Sequence, residues 1–171
     1  MKRRGKKRGR QETPVKIKSK INWKVLIISF LILIIVAGIG SHFTSQGTNS
    51  QWYQKIKPSI TPPNFIFPIV WTILYFLLAL SLYFSWIKAD SNHRIVLTAS
   101  FGLNFFFNIS WSAMYFGLKN PAFAFFNIIS LLLSILLMMK VTYKIEKKSF
   151  WFLIPYLLWV IFASLLNYLS I

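Results

Sequence analysis

Residues 52–75 read WYQKIKPSITPPNFIFPIVWTILY, and they join a polar loop to a membrane span. Pro58, Pro62 and Pro63 lack a backbone N–H and keep the first half from forming one continuous helix. From Phe65 the chain turns apolar, and residues 65–87 reach the ~20 residues that a helix needs to cross the hydrocarbon of a bilayer. The stretch is dense in Trp, Tyr and Pro and carries no acid.

Four further apolar runs lie around it, at residues 25–40, 95–118, 122–141 and 150–171, with polar gaps holding Asp90-Ser91-Asn92, Lys119-Asn120-Pro121 and Lys144 to Lys148. Composition agrees with five spans: of 171 residues 56% are hydrophobic and 18% aromatic, and the mean hydropathy is +0.55, too apolar for most soluble folds of this size. The expected fold is all-α, an integral membrane bundle of five transmembrane helices. Residues 1–24 form a basic, disordered cytoplasmic tail, and residues 25–171 the membrane domain, with residues 41–64, where Gly47 and Asn49 join the three prolines in excluding a long continuous helix, as a long loop of the kind that serves as a lid. The first run follows a basic region, as a signal peptide would, but no small-residue cleavage site follows Ala37, so it is read as a retained span.

Charge is distributed unevenly, with 20 Lys and Arg against three acids, a formal net charge of +17. A nucleic-acid arm would use such a tail to neutralise phosphates. Next to a span, attraction to anionic lipid is the better reading, at about 1 kcal/mol per basic residue near the surface, and nucleic acid is not expected as a partner. With the tail inside, the inner gaps hold Lys88, Arg94, Lys140, Lys144, Lys147 and Lys148, and the outer ones only Lys55, Lys57 and Lys119. The positive-inside rule therefore places the N-terminus in the cytoplasm and the C-terminus outside. The tail has no transit-peptide pattern, which points to a prokaryotic cell membrane.

Glu12, Asp90 and Glu146 are the only acids, and none falls in a span. Proton relays and ion-coupled carriers usually place an ionisable group there, so a pump is disfavoured. The chain has no cysteine, which excludes disulfides, thiolate metal sites and a Cys nucleophile. His42 and His93 sit near span ends and give no support to an axially ligated haem in the core. No Ser-His-Asp set, carboxylate pair, phosphate loop or metal cluster is visible.

Polar residues within spans show which faces look inward. Ser100, Asn104, Asn108 and Ser112 recur every fourth residue with Trp111 beside them, serving as interhelical hydrogen-bond glue or, for Asn108 and Trp111, as pocket lining. On the second span Trp71, Tyr75, Ala79 and Trp86 share a side; on the fifth, Tyr156, Ala163 and Asn167 share an arc next to Trp159. Trp86 and Trp151, close to span ends, fit an interfacial belt. Trp71 and Trp159 are candidates to point inward. An aromatic-lined apolar cavity with a few amides suits a flat hydrophobic ligand, a steroid or a porphyrin, and does not suit an ion or a sugar.

These residues resemble the TspO/MBR family, the translocator proteins or tryptophan-rich sensory proteins. The likeness runs from about Gly38 to the end through Trp52-Tyr53, Lys57-Pro58, Pro62-Pro63, Val70-Trp71 and Leu74-Tyr75, then Asn108, Trp111 and Phe116-Gly117, then Pro155-Tyr156-Leu157, Trp159, Phe162-Ala163 and Leu166-Asn167. The resemblance implies a five-helix bundle, often a homodimer, that needs no cofactor. Its pocket, capped by the first loop, binds porphyrins such as haem and protoporphyrin IX and sterol-like lipids. Carried over, the ligand positions are Trp52, Tyr53, Pro62, Pro63, Trp71, Asn108, Trp111, Tyr156, Trp159, Phe162, Ala163 and Asn167, to which periodicity adds Tyr75. The spacer Gln54-Lys55-Ile56 is one residue shorter than the family's usual four, Ile60 replaces a loop Trp, and Asn127 stands at a commonly acidic position. No Lys or Arg follows Leu166-Asn167-Tyr168, so the sterol-recognition pattern is incomplete. The leading expectation is a porphyrin-binding sensor. Slow photo-oxidative porphyrin degradation, with Trp71 or Trp159 as electron partner, and facilitated transport are the alternatives.

Overall fold

A computed structural model describes residues 21–171, so most of the basic tail assigned to residues 1–24 lies outside the described residues. Five long helices carry the fold: α1 (Trp23–Thr48), α3 (Ile66–Lys88), α4 (Ser91–Ser112), α5 (Pro121–Ile145) and α6 (Lys147–Tyr168), with the short α2 (Gln51–Ile56) after α1. Each long helix, α4 together with the turn that follows it, is long and apolar enough to cross a membrane.

Local chemistry sets the ends of these helices. The Asn22, Asp90 and Asn120 side chains accept from the backbone N–H of Val25, His93 and Phe123 at 3.3, 2.8 and 3.0 Å, which satisfies N–H groups that a helix start leaves orphaned. Pro121 opens α5, a position where its missing N–H costs nothing. Glu146 is shared: it ends α5 in extended conformation, and its carboxylate caps α6 through the Lys148 N–H.

The loop expected at residues 41–64 begins later than the sequence suggested, because α1 runs on to Thr48. Ser41, Thr44 and Ser45 hydroxyls donate to the carbonyls of Gly38, Gly40 and His42 within their own helix, so these polar residues do not interrupt it. Gly47, which suggested a break, is instead a close-packing point against Phe116. At 26 residues, α1 is about 39 Å long and overshoots the ~30 Å hydrocarbon thickness. Between α1 and α3 the chain is irregular at residues 49–50 and over residues 57–65, where Pro58, Pro62 and Pro63 fall.

α5 packs on α4 and α6, and α3 on α1 and α6. The core between them contains Leu78, Leu97, Ile128, Ile135, Leu153 and Val160. Outward faces are apolar too, with Ile34, Ile35, Phe106, Phe126 and Leu158 exposed, as lipid contact requires. Inside, polar groups are tied across helices: Ser81 Oγ donates to the Ser149 carbonyl at 2.9 Å and joins α3 to α6.

α4 does not end as a regular helix. Residues Ala113–Gly117 form a π-helical turn, closed by Leu118 N–H to the Ala113 carbonyl at 2.8 Å. Lys119 then takes a left-handed conformation, φ 52°, and the chain reverses into α5.

Candidate ligand cavity

The end of the bundle opposite the chain's start holds a cavity of about 480 Å³, within the ~300–1,000 Å³ range of ligand pockets. α1 contributes Ala37, Gly40, Ser41 and Thr44, and the segment after α2 contributes Pro58, Thr61 and Asn64. Aromatic walls come from Trp71 and Tyr75 on α3, Trp111 on α4, Tyr115 and Phe116 on the π turn, and Trp159 on α6.

The α4 stripe turns out to serve both roles open to it. Deepest, Asn104 is glue: its amide donates to Ser134 Oγ at 2.9 Å and its carbonyl accepts from the Tyr156 hydroxyl at 3.2 Å. One turn on, Asn108 donates to Tyr156 at 3.1 Å and accepts from the Tyr75 hydroxyl at 2.8 Å while also reaching the cavity. Tyr156 is fully buried, so the chain Tyr75–Asn108–Tyr156–Asn104–Ser134 is a closed polar network across α3, α4, α5 and α6. Satisfied networks of this kind fix one packing, since an unpaired member is costly away from water.

A second set closes the outer rim. Trp111 Nε1 donates to Asn167 Oδ1 at 2.9 Å, and Asn167 Nδ2 donates to the Pro121 carbonyl at 2.8 Å. The Trp111 and Tyr115 rings stack, with centroids 5.3 Å apart, and the Tyr115 hydroxyl donates to Ser170 Oγ at 2.8 Å. Two buried polar atoms on cavity residues have no protein partner: Thr61 Oγ1 and Trp159 Nε1.

Of the residues singled out from sequence, Tyr53, Trp71, Tyr75, Asn108, Trp111, Trp159, Ala163 and Asn167 come together on the cavity wall. Trp52, Pro62, Pro63, Tyr156 and Phe162 are not on it. Trp52 and Tyr53 are neighbours on a helix, about 100° apart; Tyr53 turns inward, and the Trp52 ring packs on Tyr115 at 5.8 Å. Pro62 and Pro63 shape the connection, while Pro58, Thr61 and Asn64 face the space. Phe162 packs against Trp159 at 5.6 Å, and Tyr156 supports Asn108 from behind.

Sequence reasoning missed the α1 wall and the π-turn aromatics. The first had a signal, since Ala37, Gly40-Ser41 and Thr44 are small or polar residues at three- and four-residue steps in an aliphatic run. The second had only a weak one, because a π turn shifts the helical phase.

A model of the TspO/MBR family matches residues 29–170 of the chain. The chain belongs to the TspO/MBR family. A tryptophan-rich protein TspO of Archaeoglobus fulgidus is 38% identical over 147 residues, covering 84% of this chain and 92% of that protein. One from Chlorobaculum tepidum is 35% identical, covering 86% and 96%, and the translocator protein of Homo sapiens is 25% identical, covering 76% and 78%. Family membership and five apolar helices make this TspO/MBR member a multi-pass integral membrane protein.

Proposed function

We propose that the chain is a membrane receptor or sensor that takes a flat, largely apolar ligand of the porphyrin class into this cavity. One observation carries the reading: Trp71, Trp111, Tyr115 and Trp159 wall a single cavity whose polar groups are all neutral. Ring faces on such walls offer stacking and apolar burial, worth roughly 25 cal/mol per Å² before ordering costs. Asn108 and Asn167 already have partners, whereas the Trp159 N–H and Thr61 hydroxyl are buried on the cavity without one and so can serve a ligand acceptor. Without a fixed charge the site has little to offer a free ion.

Orientation follows from charge. Lys24, Lys88, Arg94, Lys144, Lys147 and Lys148 lie at the end where the chain begins, and Lys55, Lys57 and Lys119 at the cavity end. By the positive-inside rule the cavity opens on the external side of a prokaryotic cell membrane.

Titration of the purified protein with protoporphyrin IX tests the function. Tryptophan quenching and a shifted porphyrin absorbance are expected, both weakened by Trp71→Ala; a folded protein showing neither overturns the proposal. Porphyrin loss under light, compared between wild type, Trp71→Phe and Trp159→Phe, separates binding from degradation. Equal rates mean passive bleaching.

A further inference from the structure

A second crevice, about 330 Å³, lies at the opposite end of the bundle between α1, α3 and α4. Its walls are almost wholly apolar, from Val25, Ile28 and Ile32 on α1, Leu82 on α3, and Phe101 and Phe105 on α4. The Ser29 hydroxyl there is already bonded to the Val25 carbonyl at 2.9 Å, which leaves the Thr98 hydroxyl as the one other hydroxyl on the walls. Ile28 is 56% exposed and Ile32 36%, which leaves the crevice open sideways, toward the acyl chains of the bilayer.

Charge sits at its mouth. Trp86 lines the crevice, and the Arg94 guanidinium lies over the Trp86 ring, 5.3 Å from its centroid. The ion pair found among the described residues joins His93 to Asp90 and leaves Arg94 without a carboxylate. The Asn22 N–H donates to the Tyr83 hydroxyl at 3.3 Å and pins the start of α1 to α3 beside this mouth. Deeper, Gly102 has nothing within 4 Å of where a Cβ would stand, so the floor has room.

From this geometry we infer a binding site for an anionic phospholipid, with an acyl chain in the crevice and the phosphate on Arg94. Apolar walls beneath a fixed cation match that amphiphile, and basic pockets between spans on the cytoplasmic side recognise anionic head groups. Two other occupants are disfavoured by charge. A second copy of this chain would bring Lys88 and Arg94 against their own kind, and the Lys/Arg-rich residues preceding α1 would meet the same repulsion. Like-charge juxtaposition at an interface opposes association. The site is separate from the aromatic cavity and does not depend on that cavity's ligand.

Native mass spectrometry of the full-length chain, with palmitoyl-oleoyl phosphatidylglycerol or phosphatidylcholine added to detergent, tests the inference. Phosphatidylglycerol is expected to be retained at least tenfold better. Arg94→Gln should cut that preference to within twofold, and Gly102→Leu, which fills the crevice, should lower retention of both lipids. Circular dichroism checks that both variants are folded, and protoporphyrin titration that the other site is intact. Equal retention of the two lipids, or a preference that survives both substitutions, overturns the assignment. So does Gly102→Leu changing the oligomeric state with lipid retention unaltered, which gives the face to a second copy. Truncation of residues 1–20 that raises retention of both lipids equally gives the crevice to the tail instead.

Discussion

Gly47→Ala tests how the cavity end of the bundle is held together. A Cβ at Gly47 would stand 2.7 Å from Phe116 Cβ and 2.8 Å from Cγ, inside any real carbon contact. Rotating the Phe116 ring gives no relief, because its Cβ is fixed by the backbone of the π turn. Either α1 or the turn must move, and overpacking of this kind costs ~1–3 kcal/mol. Alanine also favours a helix over glycine by ~1 kcal/mol, which obscures the cost if wild type is the reference. Gly38→Ala removes that ambiguity, because Gly38 lies on the same helix with nothing within 4 Å of its added methyl. The difference between the two variants is then the steric term. For a chain of this size, 1 kcal/mol shifts the midpoint by roughly 2–4 °C, so Gly47→Ala should melt several degrees below Gly38→Ala in detergent. Ligand affinity should fall with it, since Phe116 is a cavity wall. Equal midpoints for the two variants would refute the claim that α1 and the π turn are keyed by that glycine.

Three other outcomes follow from the polar groups. Tyr156→Phe strands the Asn104 carbonyl and the Asn108 amide in the core, costing about 1–3 kcal/mol, whereas Tyr75→Phe strands only Asn108 Oδ1 at the cavity edge; thermal melts should rank Tyr156→Phe as the more damaging. The Asp90 carboxyl is held below its ordinary range chiefly by the His93 backbone N–H, then by the His93 ring. Its stabilisation is present above the unfolded pKa and lost as pH falls through the folded one, so melts taken downward from pH 5 should fall less steeply in Asp90→Asn. Burial, with the Tyr115 hydroxyl second, pushes the Tyr53 phenol up to about 12. The unfolded chain ionises first, near pH 10, so stability present below that pH is lost between 10 and 12, and Tyr53→Phe should show a shallower alkaline decline.

Five spans were readable because the bilayer demands long apolar runs separated by polar gaps, and the boundaries of α3, α5, α6 and α4 with its π turn lie within four residues of those runs. The end of α1 was not, since hydroxyls bonded back to the helix look like loop residues in a one-dimensional reading. Periodicity found Trp71, Tyr75, Asn108, Trp111, Trp159, Ala163 and Asn167 because each lies on a regular helical face. It failed where the helix changes pitch, at Tyr115 and Phe116, and the resemblance gave Trp52 and Tyr53 one role although adjacent residues of a helix point about 100° apart. Gly47 was legible only as a helix breaker, for a sequence does not show what lies across from a missing side chain.

The π turn also fixes how much chain the α4–α5 connection can hold. A π turn is an α-helix accommodating one more residue; with that accommodation already made, a further residue inserted between Ala113 and Gly117 would swing everything beyond by about 100°. Asn120 would leave its place at the head of α5, and the Pro121 carbonyl would leave Asn167. Unlike the proline-bearing segment before α3, this junction has no slack: its length is a gauge to which α5, α6 and the cavity are set, and a search for insertion-tolerant sites should find none there.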